Sequence, residues 1–220
     1  MLDFKVAIFD LDGTLLNTYA GVRDGILYLI DKYDLPELNE EQLRTFVGPP
    51  IKKSMMAHFG VSEDLADEIQ KSFREYYANE AILKAEHYEG MIETLSILQK
   101  NGVYTTVATY KRKDMAERVL RHYNLDVALN SIFGSDADGR LTKSDIIKLA
   151  LKESGVVRYT DAVMIGDTDN DAKGAEELGV PFIGVTYGFG FKSKEDIKKF
   201  PNIGAADRPK ELIKFIVKEA

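Results

Sequence analysis

The 220-residue chain contains no cysteine. That absence excludes disulfide staples and thiolate metal sites, and a cytoplasmic location is the expectation. Histidine is nearly absent too. The three present, His58, His87 and His122, are scattered without paired carboxylate spacing and read as structural. Basic residues are in the minority, 29 against 36 acidic, for a net charge of -7. That balance argues against a nucleic-acid polymer as partner, because phosphate backbones demand basic surfaces. It leaves room for a small phosphorylated metabolite, since a bound cation reverses the local field. No apolar run approaches the roughly 20 residues of a membrane span, so no membrane partner is expected. Asp3 and a strand beginning by residue 5 do not read as a signal peptide. Repeats and low-complexity segments are also missing.

What remains is 45% hydrophobic, enough for one α/β domain with an insertion or for two small domains. Strand-like segments are Lys5 to Phe9, Tyr104 to Ala108, Ser131 to Gly134, Ala162 to Ile165 and Phe182 to Val185, with a weaker one at Ile203 to Ala206. Helical patterns fill the gaps at Met91 to Asn101, Asp114 to Tyr123, Lys143 to Ser154, Asp171 to Leu178 and from Pro209. This alternation predicts an α/β, Rossmann-like parallel sheet with helices on both faces. Residues 16–84 break it. They carry helical patterns only, at Tyr19 to Tyr33, Glu40 to Thr45, Ile51 to Phe59 and Glu63 to Ala78. The expected division is core over 1–15, an inserted all-helical cap over 16–84, and core again over 85–220.

Chemistry concentrates at strand ends. Val6 to Phe9 runs into Asp10-Leu11-Asp12-Gly13-Thr14. Side chains at i and i+2 of an extended segment point the same way, so both carboxylates can face one site. One can attack as a nucleophile and the other can carry a proton. A second acidic run, Gly166-Asp167-Thr168-Asp169-Asn170-Asp171, follows another apolar strand. Hard cations such as magnesium take oxygen ligands, and Asp167 is the best ligand candidate there. Asp171 near a helix start also suits the helix dipole. Thr109 is expected to end its strand, with free backbone amides beyond it able to receive an oxyanion. Lys143 opens a helix, where a lysine opposes the dipole; such local inconsistency points to function. Arg23, Lys52, Lys53 and Lys111 read individually as solvated surface.

As a set, Asp10 to Thr14, Thr109, Lys143 and Gly166-Asp167 through Asp171 resemble, in order, the four motifs of the haloacid dehalogenase superfamily of phosphotransferases. The helical insert resembles the small cap of its phosphoglycolate phosphatase-like branch. Phe46-Val47-Gly48-Pro49-Pro50, Gly134 to Gly139 and Tyr187-Gly188-Phe189-Gly190 are similar to segments of phosphoglycolate phosphatases and 5′-nucleotidases. Three positions depart from the pattern: Ser144 follows Lys143 where proline is frequent, Asn17 replaces an acidic residue, and Tyr110 stands between Thr109 and Lys111.

The resemblance implies a phosphatase with Asp10 as nucleophile and Asp12 as general acid and base. It places Mg²⁺ between Asp10, the backbone carbonyl of Asp12 and Asp167, with Asp171 orienting that site. Thr109, Tyr110 and Lys143 would contact the phosphoryl group. A monomer or homodimer is expected. A 5′-nucleotidase, a phosphosugar mutase and a non-catalytic phosphate-binding regulator remain alternatives. A 2-haloacid dehalogenase shares the fold but needs no phosphate-directed metal site, which Asp12 with Asp167 argues against.

Overall fold

The computed structural model describes residues 4–217, so the reading of the first three residues as no leader lies outside the described residues. The first strand, β1 (Val6–Phe9), is followed by a two-residue strand, β2 (Leu16–Asn17). Four helices come next: α1 (Tyr19–Lys32), α2 (Glu40–Arg44), α3 (Ile51–Phe59) and α4 (Glu63–Tyr76). A π-helical turn over Tyr77–Ala81 extends α4, and β3 (Glu86–His87) pairs antiparallel with β2. Then α5 (Met91–Lys100), β4 (Tyr104–Arg112), α6 (Lys113–His122), β5 (Ser131–Ser135), α7 (Lys143–Ser154), β6 (Ala162–Gly166), α8 (Asp169–Leu178) and β7 (Phe182–Val185) alternate. The described chain closes with α9 (Lys194–Ile197), β8 (Gly204–Ala206) and α10 (Ile213–Ile216).

Six strands form one sheet in the order β5-β4-β1-β6-β7-β8, and every neighbouring pair is parallel. Parallel sheets bury both faces, and the strand sequences comply: β1, β6 and β7 are buried at every residue. Alternation sorts them. Val6 and Ile8 pack with α7 and α8 through Ile146, Ile147, Ala172 and Ala175. Ala7 and Phe9 join the larger cluster that runs into the helical insert through Leu43, Phe46, Met55 and Phe73. The sheet order reverses direction between β1 and β6. Ligands of open α/β sheets bind at such a switch point, beyond the carboxyl ends of the strands.

Val6–Phe9 lies within the expected first strand, and the expected helical patterns between residues 19 and 78 correspond to α1–α4, with two differences in this region and in β4. The ribbon of β2 and β3 is two residues long per strand, too short to leave a periodic signal. It ties the insert's entry to its exit, with Leu16 opposite His87 and Asn17 opposite Glu86. A second difference corrects the reading of Thr109. It does not end its strand: β4 continues to Arg112, with a shift in pairing between Thr109 and Arg112. The Lys111 amide donates to Thr109 Oγ1 at 3.1 Å, so this amide is not free for an oxyanion.

Candidate active site

Asp10 follows β1 directly and continues the parity of Val6 and Ile8, which face α7 and α8. Its carboxylate meets Lys143 Nζ at 2.7 Å. Lys143 is the first residue of α7, whose start is fixed by a capping box between Thr142 and Asp145. Its stem lies against Gly174 of α8, where a Cβ would stand 3.0 Å from Lys143 Cγ. The Lys143 side chain is 4% exposed, and its ammonium also lies 2.7 Å from Asp171 Oδ1. Burial works against its charge, but Asp10 and Asp171 overcome that and raise its pKa. The dipole mismatch at α7 is explained by two buried carboxylates.

Asp171 divides its labour. One oxygen, Oδ2, accepts from Thr168 N at 3.0 Å and Thr168 Oγ1 at 2.6 Å, which caps α8. The other, Oδ1, receives no well-angled hydrogen bond, although Lys143 Nζ stands 2.7 Å away. At that separation between full charges the contact is an ion pair whatever its angle. Asp167, fully buried, accepts from Phe189 N at 2.7 Å, Gly190 N at 3.2 Å and Thr14 Oγ1 at 3.4 Å. No lysine or arginine lies within ion-pair distance of it among the described residues. Burial, then the charges of Asp171 and Asp10, push its carboxyl up to about 8. Burial, with Asp171 and Asp12, also raises Asp10 to about 7 although Lys143 opposes it; Asp167, with no ammonium partner, is pushed further. Gly13 (φ 87°) and Gly188 both crowd this carboxylate so closely that a Cβ on either would overlap it.

Asp10, Asp167 and Asp171 each offer an oxygen within 4.8 Å of the others. Asp12 is not part of that side-chain cluster. Its Oδ1 accepts from Thr18 Oγ1 at 2.6 Å and pairs with Lys111 Nζ at 3.0 Å. Lys111 continues to the Tyr77 hydroxyl of the π-turn at 3.1 Å. The Lys111 side chain is 8% exposed, which overturns its reading as solvated surface. The sequence signal that could have found it is its place two residues past Thr109 at a strand end. Arg23 and Lys52 are held in surface pairs with Glu40, and with Glu63 and Asp67.

The buried site thus holds four carboxylates, Asp10, Asp12, Asp167 and Asp171, against two ammoniums, Lys111 and Lys143, a formal deficit of two positive charges (4 − 2). An all-oxygen donor set with that deficit fits a hard divalent cation. Thr109 is 1% exposed at the same sheet edge, and the Tyr110 hydroxyl accepts from Lys143 N at 3.1 Å. A cavity of about 110 Å³ opens between insert and sheet, lined by Asp12, Lys111 and Tyr110 from below and Phe46, Phe73 and Tyr77 from above.

Comparison with known proteins accords with this geometry. The family model of haloacid dehalogenase-like hydrolases matches residues 7–185. A 5′-nucleotidase of Pseudomonas aeruginosa is 33% identical over 190 residues, 86% of each chain. A phosphoglycolate phosphatase of Vibrio parahaemolyticus is 27% identical over 195 residues, covering 85% of this chain and 86% of its own. Among solved structures, a predicted phosphatase of Clostridium acetobutylicum superposes with a TM-score of 0.90 at 34% identity, over 97% of this chain and 98% of that one. The chain therefore belongs to the haloacid dehalogenase-like hydrolases, and its reaction class is that of their phosphatases, the hydrolysis of phosphoric monoesters.

Proposed function

We propose that this chain is a magnesium-dependent phosphatase of a small soluble phosphomonoester, acting through an aspartyl-phosphate on Asp10 and similar to phosphoglycolate phosphatases. The observation that carries the reading is the buried cluster of Asp10, Asp167 and Asp171 joined to Lys143. Asp10 and Asp167, with the backbone carbonyl of Asp12, would hold the ion, and Asp171 would orient them. A bound magnesium ion supplies positive charge against the approaching phosphate dianion.

The chain's own groups do the rest. An Asp10 carboxylate oxygen attacks phosphorus, and the bond to the ester oxygen breaks. Asp12 gives that oxygen a proton. Asp12 then takes a proton from water as the water oxygen attacks phosphorus, and the bond to Asp10 breaks to free phosphate. Thr109, Tyr110 and Lys143 hold the phosphoryl oxygens, charge stabilisation being the largest usual share of such catalysis. Lys111 and Thr18 fix the Asp12 carboxylate.

Residues 16–84 serve as a cap, and its closure excludes bulk water. The small cavity between insert and sheet, about 110 Å³, favours a small ester. Acid-quenched protein from magnesium and labelled ester should carry label on Asp10, and Asp10→Asn should carry none. Label elsewhere, or full turnover in excess chelator, refutes the reading. The Pseudomonas aeruginosa relative favours a second reading, a 5′-nucleotidase, which a nucleoside monophosphate in the same assay tests.

A further inference from the structure

We propose that Arg74 forms a second anion subsite, so that the preferred ester is the phosphate of a small acid whose leaving group bears a distal carboxylate or phosphate. The inference rests on the phosphatase reading above and names the substrate class for the same site.

Arg74 sits in the last turn of α4 and lines the cavity that Asp12 and Lys111 also line. Every other cation of that cavity is already matched. Lys111 is paired with Asp12, and Arg112 with Asp114. Arg74 has no carboxylate within ion-pair distance among the described residues; the contact it makes is one N–H donated to the Ala137 carbonyl. A guanidinium carries five donors, so most of its hydrogen-bonding capacity is unspent.

The surroundings favour an anion there. Burial, and then Arg112, lower the Arg74 pKa from its ordinary value, although Asp136, Asp138 and Asp114 act from farther off to raise it; none of the three reaches ion-pair distance. Its neighbours in the cavity are largely apolar, including Val22, Phe46, Ile51, Phe73 and Met115. Beyond Arg74 the cavity opens into a groove of about 660 Å³ that carries Lys52, Lys53, Lys71 and Arg140. The two carboxylates of that groove, Asp67 and Asp138, are taken by Lys52 and Arg140. On a chain of net charge -7, this leaves an unneutralised basic path leading to the acidic centre. It would draw in a dianionic or trianionic ester, while a neutral leaving group gives Arg74 nothing to bind.

The test compares esters of matched size with magnesium present. These are 2-phosphoglycolate (distal carboxylate), ethylene glycol bisphosphate (distal phosphate) and 2-hydroxyethyl phosphate (neutral), with AMP and p-nitrophenyl phosphate alongside. Wild type should favour at least one distal-anion ester over 2-hydroxyethyl phosphate by ten- to hundredfold in kcat/KM, the usual worth of a charged hydrogen bond. Arg74→Gln should collapse that ratio to within about threefold by raising KM, and Arg74→Lys should restore part of it. The carboxylate and phosphate arms show which anion is preferred. A flat wild-type profile, a preference for AMP, or an equal loss on all esters in Arg74→Gln overturns the subsite. Failure of every ester, p-nitrophenyl phosphate included, strikes the phosphatase reading instead. Calorimetry then decides the subsite alone: phosphonoacetate should bind wild type at least tenfold tighter than ethylphosphonate, with the difference lost in Arg74→Gln. Equal affinities overturn it.

Discussion

Replacing Asp167 by asparagine should stabilise the cation-free protein at alkaline pH while destroying its catalysis. Asp167 is fully buried, has no lysine of its own, and has its carboxyl pushed up to about 8. A carboxyl whose folded pKa lies above its unfolded value of 3.8 favours the fold while protonated. Its contribution is fully present below pH 3.8, declines as the unfolded state ionises, and is lost as pH rises through 8. Between pH 6 and pH 8 the decline comes to about 2 kcal/mol, at 1.36 kcal/mol per pKa unit. For a chain of this length that is about 4–8 °C in melting temperature. Asparagine keeps an oxygen for the amides of Phe189 and Gly190, and its amide group can donate to Thr14, so the change is nearly isosteric. The assay is calorimetric melting in chelator at pH 6 and pH 8, for wild type and Asp167→Asn. Wild type should lose clearly more stability over that interval than the variant, in which only Asp10, raised to about 7, still contributes a slope. Millimolar magnesium should raise the wild-type melting temperature most at pH 8, where the ligands are ionised, and leave the variant nearly unmoved. Equal pH slopes for the two proteins in chelator would refute the reasoning.

Asp12→Asn should lower kcat by about 10²–10⁴-fold, read by steady-state kinetics with magnesium, and should lose some stability because Lys111 is left buried without its carboxylate. Lys143→Met should cost about 3–5 kcal/mol, because it strands Asp10 and Asp171 as buried charges; urea unfolding in chelator at pH 8 measures the loss, which should shrink at pH 6. Gly188→Ala should lower apparent magnesium affinity at least tenfold, since the new Cβ overlaps Asp167; activity titrated against magnesium checks this.

The sheet was legible because buried parallel strands are short apolar runs, and residues such as Val163 to Ile165 have no other reading between helices. Asp10, Asp167 and Lys143 were legible because each breaks a local rule: acids at a strand's end, a lysine at a helix start. Lys111 was not, because a lysine near a strand's end does not by itself show the carboxylate 99 positions earlier that it pairs with; only its place two residues past Thr109 hinted at it. Arg74 hid for the same reason: on a polar helix face, one guanidinium looks like any solvated arginine. The Phe189 and Gly190 amides that hold Asp167 left no side-chain signal at all, since backbone donors are common to every residue. The ribbon of Leu16–Asn17 with Glu86–His87 escaped because two residues cannot display a period.

The place of β1 at the middle of the sheet has a consequence for how this protein is made. Its flanking partners are Tyr104–Val107 on one side and Ala162–Ile165 on the other, and Thr14 meets Asp167 across 153 positions of chain. A ribosome adding about 5–20 residues per second would hold the Asp10 to Thr14 loop without Asp167 for roughly 8–30 s. Through that interval the Asp10, Asp167 and Asp171 carboxylates are not yet together. Chain closure of such high contact order is slow, and the exposed edges of β1 need cover until β6 arrives. The same topology that buries Asp10 at the end of a central strand thus makes a complete site a mark of completed synthesis.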